Sequence, residues 1–129
     1  MIIDTSALCA MLYEEEDAPD MERALALRGE CGISAATLVE AYMVCEGRGG
    51  ADAAARLDAL LGRISARVIP FTAEHAALAR EGFRRFGKGR HPAGLNFGDC
   101  FAYALARARH EPLLFKGDDF AQTDVKAAL

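Results

Sequence analysis

No stretch of this 129-residue chain is apolar for long enough to cross a membrane, a task that takes about 20 consecutive apolar residues. That argues against an integral membrane protein. A basic segment followed by a long apolar one is also missing at the start. Met1, Ile2 and Ile3 run directly into Asp4, so no signal peptide is expected and structure should begin at the first residue. Cys9, Cys31, Cys45 and Cys100 include no Cys-x-x-Cys pair, and His75, His91 and His110 do not cluster with them. A zinc site is thereby disfavoured, and buried, reduced thiols in a cytoplasmic protein are expected. Repeats, linkers and low-complexity runs are absent, which leaves a single domain over 1–129. There is no excess of positive charge either: the formal net charge is −4. This argues against passive binding of nucleic acid over the whole surface, although local charge can still act.

Short apolar runs occur at Met1–Ile3, Arg67–Phe71 and Pro112–Phe115. Their brevity and the turn or cap residues beside them predict buried strands. Ala- and Leu-rich segments of helical spacing lie between them. The predicted helices are Ser6–Glu14, entered from Thr5 or Ser6; Asp20–Leu27, followed by a turn at Gly29 and Gly32; Ser34–Cys45; and Asp52–Ile64. A fifth is capped by Thr72 and runs to about Phe86, and a sixth runs from Asp99 to about Arg109. The sixth is apolar on nearly every face and should be central. Gly87 to Gly98 reads as irregular. Strands separated by helices, with no hairpin, imply an α/β fold with a small parallel sheet covered by helices.

Acids recur where such a sheet opens. Asp4 directly follows the first strand, and Asp118 and Asp119 follow the last, at carboxyl ends, where open parallel sheets bind ligands. Thr5 or Ser6 can cap the first helix, which would leave Asp4 free. Glu40 ends Ser-Ala-Ala-Thr-Leu-Val-Glu. With Thr37 as N-cap it would complete a capping box; with Ser34 as N-cap it would sit in the second turn among apolar neighbours, where a carboxylate needs a partner. Asp99 opens the sixth helix at capping-box spacing from Asn96. Two like charges about 4 Å apart repel by about 4 kcal/mol at an effective dielectric near 20. A cluster of such acids therefore needs protons or a cation, and an all-oxygen set selects Mg²⁺ or Mn²⁺.

Four motifs carry a family resemblance: Met-Ile-Ile-Asp-Thr-Ser-Ala-Leu at 1–8, Ser-Ala-Ala-Thr-Leu-Val-Glu ending at Glu40, Leu-Asn-Phe-Gly-Asp-Cys-Phe-Ala-Tyr at 95–103, and Leu-Leu-Phe-Lys-Gly-Asp-Asp-Phe at 113–120. In this order they resemble the PIN-domain ribonucleases, specifically the VapC toxins of bacterial VapBC toxin–antitoxin pairs. The resemblance implies a PIN-like three-layer α/β/α sandwich and an acidic pocket that holds Mg²⁺ or Mn²⁺ and hydrolyses RNA through an activated water. Asp4, Glu40 and Asp99 match the family's first three acids. Many relatives carry Asp-x-Asp-Phe at the fourth, where this chain has Gly117-Asp118-Asp119-Phe120. Asp118, displaced least from the usual position, is therefore placed first for the catalytic role, with Asp119 beside it as a metal ligand that could take its place. Ser6 and Asn96 are the candidate supporting residues. A VapB antitoxin and a homodimer are the implied protein partners, with apolar helix surface near Met43 or Tyr103 available for pairing.

Between Arg80 and His91, five cations stand against Glu81 alone. Lys88, Arg90 and His91, with Lys116 beside the acids, are the expected contacts to RNA. Residues 14–22 hold six acids and read as solvated surface. Two other readings compete. A phospho-acceptor receiver domain would want an acceptor Asp after a central strand, yet Arg67–Phe71 leads into Thr72. The other is a PIN-fold protein that binds or processes RNA outside a toxin–antitoxin pair.

Overall fold

A computed structural model describes residues 1–129. In chain order the elements are β1 (Ile2–Ile3), α1 (Thr5–Leu12), α2 (Ala18–Arg28), β2 (Cys31–Ser34), α3 (Ala35–Gly49), α4 (Ala51–Arg63), β3 (Ala66–Ile69), α5 (Ala73–Phe86), α6 (Phe97–Arg109) and β4 (Leu113–Leu114). A short 3₁₀ turn at Phe120–Gln122 follows. The four strands lie in the order β3-β2-β1-β4, and every pairing is parallel. The expected α/β fold and parallel sheet are therefore present.

The alternation of side chains along a strand builds the layers. Ile3 and Leu114 enter one core with α1, α2, α3 and α4, while Ile2 and Leu113 enter another with α5 and α6. The result is a three-layer α/β/α sandwich. Helix α6 is as central as its sequence implied, with Cys100 and Ala102 to Ala106 buried. The edge strand β4 does not stay open. Leu113 N–H donates to Lys126 O at 2.8 Å, and Ala128 N–H to Leu113 O at 2.9 Å. The C-terminal segment thus covers that edge.

Several boundaries differ from those expected. Strand β2 falls where Gly29 and Gly32 suggested a turn. Gly29 does end α2, at φ +72°, but Gly32 pairs with Ile2 inside the sheet. A Cβ on Gly32 would lie 2.8 Å from Ile69 Cδ1 and 3.1 Å from Ile2 Cδ1, so this glycine serves close packing, not chain reversal. Helix α2 begins at Ala18 with Pro19 in its first turn, and α3 continues past Cys45 to Gly49. Helix α6 starts two residues before Asp99, because Asn96 is its cap. All four cysteines are buried and free. Tyr103 is buried as well: its hydroxyl donates to Asp124 Oδ1 at 2.8 Å, and Gly82 lies flat against its ring. It cannot provide an interface, which corrects that expectation.

Candidate metal centre

Asp4 leaves β1 with its backbone N–H bound to Leu114 O at 3.0 Å. It is itself the N-cap of α1, contrary to the expectation that Thr5 or Ser6 would take that role. The reason is reach: Asp4 Oδ2 accepts from Ser6 N–H at 2.9 Å and from the Ser6 hydroxyl at 2.6 Å. One oxygen therefore caps, and the other does not. Asp4 Oδ1 is buried without any partner. Burial pushes the carboxyl up to about 7; the Ser6 hydrogen bonds oppose this, and the charges of Asp99 and Glu40 add to it. The Ser6 hydroxyl also accepts from Lys116 N–H at 3.0 Å, which ties the end of β4 to the start of α1.

Ser34 is the N-cap of α3, accepting from Ala36 N–H at 3.3 Å. Thr37 therefore lies inside the helix, and Glu40 belongs to the second turn. Glu40 Oε1 accepts the Thr5 hydroxyl at 2.5 Å. The opposite oxygen rests against Gly98, where a Cβ would sit only 1.3 Å from Glu40 Oε2. Thr5 and Gly98 thus hold the carboxylate from two sides. Thr5 seemed only a cap in sequence, and Gly98 only part of an irregular segment. The one available signal was a glycine in the first turn of a helix, where it costs stability unless space demands it.

Asp99 and Asn96 form a reciprocal capping box. Asp99 N–H donates to Asn96 Oδ1 at 2.9 Å, and Asn96 N–H donates to Asp99 Oδ2 at 2.9 Å. Burial raises the Asp99 carboxyl to about 6; the Asn96 N–H lowers it, while Glu40 and Asp119 raise it further. Asp118 and Asp119 are exposed on the turn after β4, beyond Gly117 at φ +96°. Of the two, Asp119 is the acid whose charge acts on Asp99.

These side chains do not close into a ready-made cage of three ligands. Yet the donor set fits a hard divalent cation. It is all oxygen, its members repel one another, and its deepest carboxylate keeps one buried oxygen unsatisfied.

The four expected RNA contacts separate. Lys88 and Arg90 are exposed and enter no ion pair, and the Arg90 guanidinium lies 5.5 Å from the centre of the Phe83 ring. His91 is half-buried; its Nδ1 accepts from Ala93 N–H at 3.0 Å, and its ring meets Phe86 edge-on. Lys116 is engaged within the chain. Its ammonium pairs with Glu15, and Asp17 lies 3.9 Å away, so its charge is already engaged.

Residues 1–126 match the family model described as PIN domain. A Ribonuclease VapC of Mycolicibacterium smegmatis is 48% identical over 127 residues, covering 98% of each chain. Among solved structures, Mycobacterium tuberculosis VapC20, a sarcin-ricin loop cleaving toxin, matches at TM-score 0.77 and 20% identity over 96% of this chain and 95% of that one. VapBC2 from Rickettsia felis, bound to a DNA fragment from its promoter, matches at TM-score 0.71 and 17% identity over 94% and 90%. At those identities the two structures establish the fold. This chain belongs to the PIN domain family. Within that family it belongs with the VapC ribonucleases, and it is a ribonuclease.

Proposed function

We propose that this chain is a Mg²⁺- or Mn²⁺-dependent endoribonuclease and the toxin of a VapBC-type pair. The observation that carries the metal reading is Asp4, whose carboxylate keeps one oxygen buried without a partner and is raised in pKa by burial, with Asp99 and Glu40 adding to the rise. Asp4, Glu40 and Asp99 would hold the cation, with Asp119 or Asp118 as the fourth acid. A cation held there would neutralise charge at the scissile phosphate and lower the pKa of an attacking water. Ser6 and Asn96 hold Asp4 and Asp99 in place through the hydrogen bonds described above. Lys88 and Arg90 offer unpaired charge to the phosphate backbone.

The toxin reading is supported by the VapC ribonuclease relatives, and a VapB-type antitoxin partner by the VapBC structure this fold resembles. A homodimer is proposed through α3, where Val39 is 58% exposed and Met43, one turn on, is 70% exposed. No helix is long and apolar enough to cross a membrane, in keeping with the proposed cytoplasmic location. The test is cleavage of structured RNAs with Mg²⁺, Mn²⁺ or EDTA, beside Asp4→Asn. Metal-dependent cleavage that vanishes in the variant is expected. Cleavage in EDTA, or full activity of Asp4→Asn, would overturn the mechanism.

A further inference from the structure

We propose that an aromatic groove beside the acids takes an unstacked nucleobase of the RNA, with Phe97 as its stacking surface. This rests on the ribonuclease reading of the same site. Phe97 is the first residue of α6, directly before Gly98, against which Glu40 packs. It is 81% exposed, although burial is the usual fate of an aromatic ring of this size. Its orientation is fixed nonetheless. Phe97 meets Phe101 edge-on at 4.7 Å between ring centres and 78°, and Phe101 meets Phe71 edge-on at 5.2 Å and 82°. An edge-on pair covers at most one face of either ring, and Phe97 at 81% exposed keeps ring surface on which a base can stack.

Phe71, Phe83, Phe97, Phe101 and Ala36 line an open groove of about 700 Å³ in which Arg80 is the one charged lining residue. Arg80 makes no ion pair. Nor do Arg84, Lys88 and Arg90, whereas the neighbouring Arg85 is engaged by Glu81 and Asp124. A stacking ring two residues before Asp99, a free guanidinium in the groove and an unpaired Arg90 over the groove residue Phe83 suit a single strand better than a protein face. Phosphates can follow Lys88 and Arg90 while one base leaves its stack to meet Phe97. Proteins that read single-stranded RNA commonly combine these two elements, an aromatic platform and a basic track. Val39 and Met43, further along α3 than the groove residue Ala36, are the apolar surface proposed for a second copy.

The experiment measures anisotropy of fluorescein-labelled single-stranded RNA oligonucleotides in EDTA, over a range of salt. Wild type, Phe97→Ala, Phe97→Trp and Arg90→Ala are compared, with light scattering to fix oligomeric state. The same RNAs are made with an abasic residue at each position near the cut that wild type makes in Mn²⁺. Phe97→Ala should weaken binding about tenfold, the loss of one base–aromatic stack, and leave the salt slope unchanged. Phe97→Trp should retain affinity, and Arg90→Ala should flatten the salt slope. One abasic position should cost wild type as much as Phe97→Ala does, and cost that variant nothing more. Wild-type affinity in Phe97→Ala overturns the inference. If light scattering then shows a lost dimer, a second copy covers the groove. Failure of wild type to bind or cut any of the RNAs overturns the ribonuclease reading, and this inference with it.

Discussion

Two groups of acids lie in different parts of this molecule, and the protein treats them in opposite ways. Glu111 meets the Met1 ammonium at 2.5 Å and Arg109 at 2.7 Å. Asp124 is bound by Tyr103, Arg107 and Arg85. Both carboxyls are held below their ordinary values: burial pushes each one up, but the hydrogen bonds and cations more than reverse it. Asp4 and Asp99 are more deeply enclosed, and no Lys or Arg pairs with either, so their values rise to about 7 and about 6. Cations are not scarce, since even Lys116 beside the site is turned away to Glu15 and Asp17. The difference teaches that the Asp4 group is not a structural network lacking one partner. We propose that it is a binding site, where a proton or a bound cation supplies the neutralising charge that the chain does not.

The sharpest way to break this comparison is to neutralise one acid in each group. Asp4→Asn keeps the shape and the Ser6 cap, yet should reduce cleavage at least about a hundredfold and abolish Mn²⁺ binding by calorimetry. It should also raise the melting temperature of the metal-free protein, because a buried charge without a partner is removed. Asp124→Asn should do the reverse, lowering stability by about 1–3 kcal/mol in urea titration while metal affinity persists. Equal destabilisation by both variants would erase the distinction between the groups.

A second substitution attacks the site without touching an acid. Gly98→Ala would place a methyl group where Glu40 Oε2 now lies, and should cost about 10- to 100-fold in metal affinity by displacing the carboxylate. Helix propensity favours alanine here, so a folded protein with an impaired site is expected. Thr5→Val should weaken metal binding about tenfold through the lost hydroxyl, and Thr5→Ser should restore it. An unaffected Gly98→Ala protein would mean that Glu40 is not held as described.

Acidity gives a gentler probe. A carboxyl raised in the folded state favours folding at low pH, where it is protonated in both states. That advantage is lost as pH rises through the folded value. For Asp4 and Asp99 the loss falls between about pH 4 and pH 7. Metal-free wild type should therefore lose melting temperature relative to Asp4→Asn across that window, and added Mn²⁺ at pH 8 should recover it. Parallel melting curves at every pH would count against an uncompensated Asp4.

Much of the fold was legible because its strands are short apolar runs and its caps are polar residues in the right places; Ser34 and Thr72 cap as read. Strand β2 was not legible, because Gly32 is there for the neighbouring Ile2 and Ile69, whose approach only the folded sheet defines. The acids could be named from their positions at strand ends and helix starts. Their supports could not: Thr5 reaches Glu40 across 35 residues, and Gly98 matters only once α3 lies against α6. The ion pair of Lys116 was hidden for the same reason, since its partner Glu15 is 101 residues away.

The smallest expected effect concerns the fourth acid, where sequence alone left Asp118 and Asp119 nearly equal. Both are exposed, so neither carries the desolvation that makes Asp4 so sensitive. What separates them is proximity to the other group members: the charge of Asp119 raises Asp99, and that of Asp118 does not figure there. Asp119→Asn should therefore weaken Mn²⁺ binding by about three- to tenfold, in the range expected for one solvent-screened carboxylate. Asp118→Asn should change it less than about twofold, with both measured by calorimetry at low salt. Raising the salt should shrink the Asp119 effect and leave that of Asp4→Asn intact, because a buried charge is poorly screened. A larger loss in Asp118→Asn would place the fourth ligand one residue earlier, and would mean that the turn after Gly117 rearranges when the cation arrives.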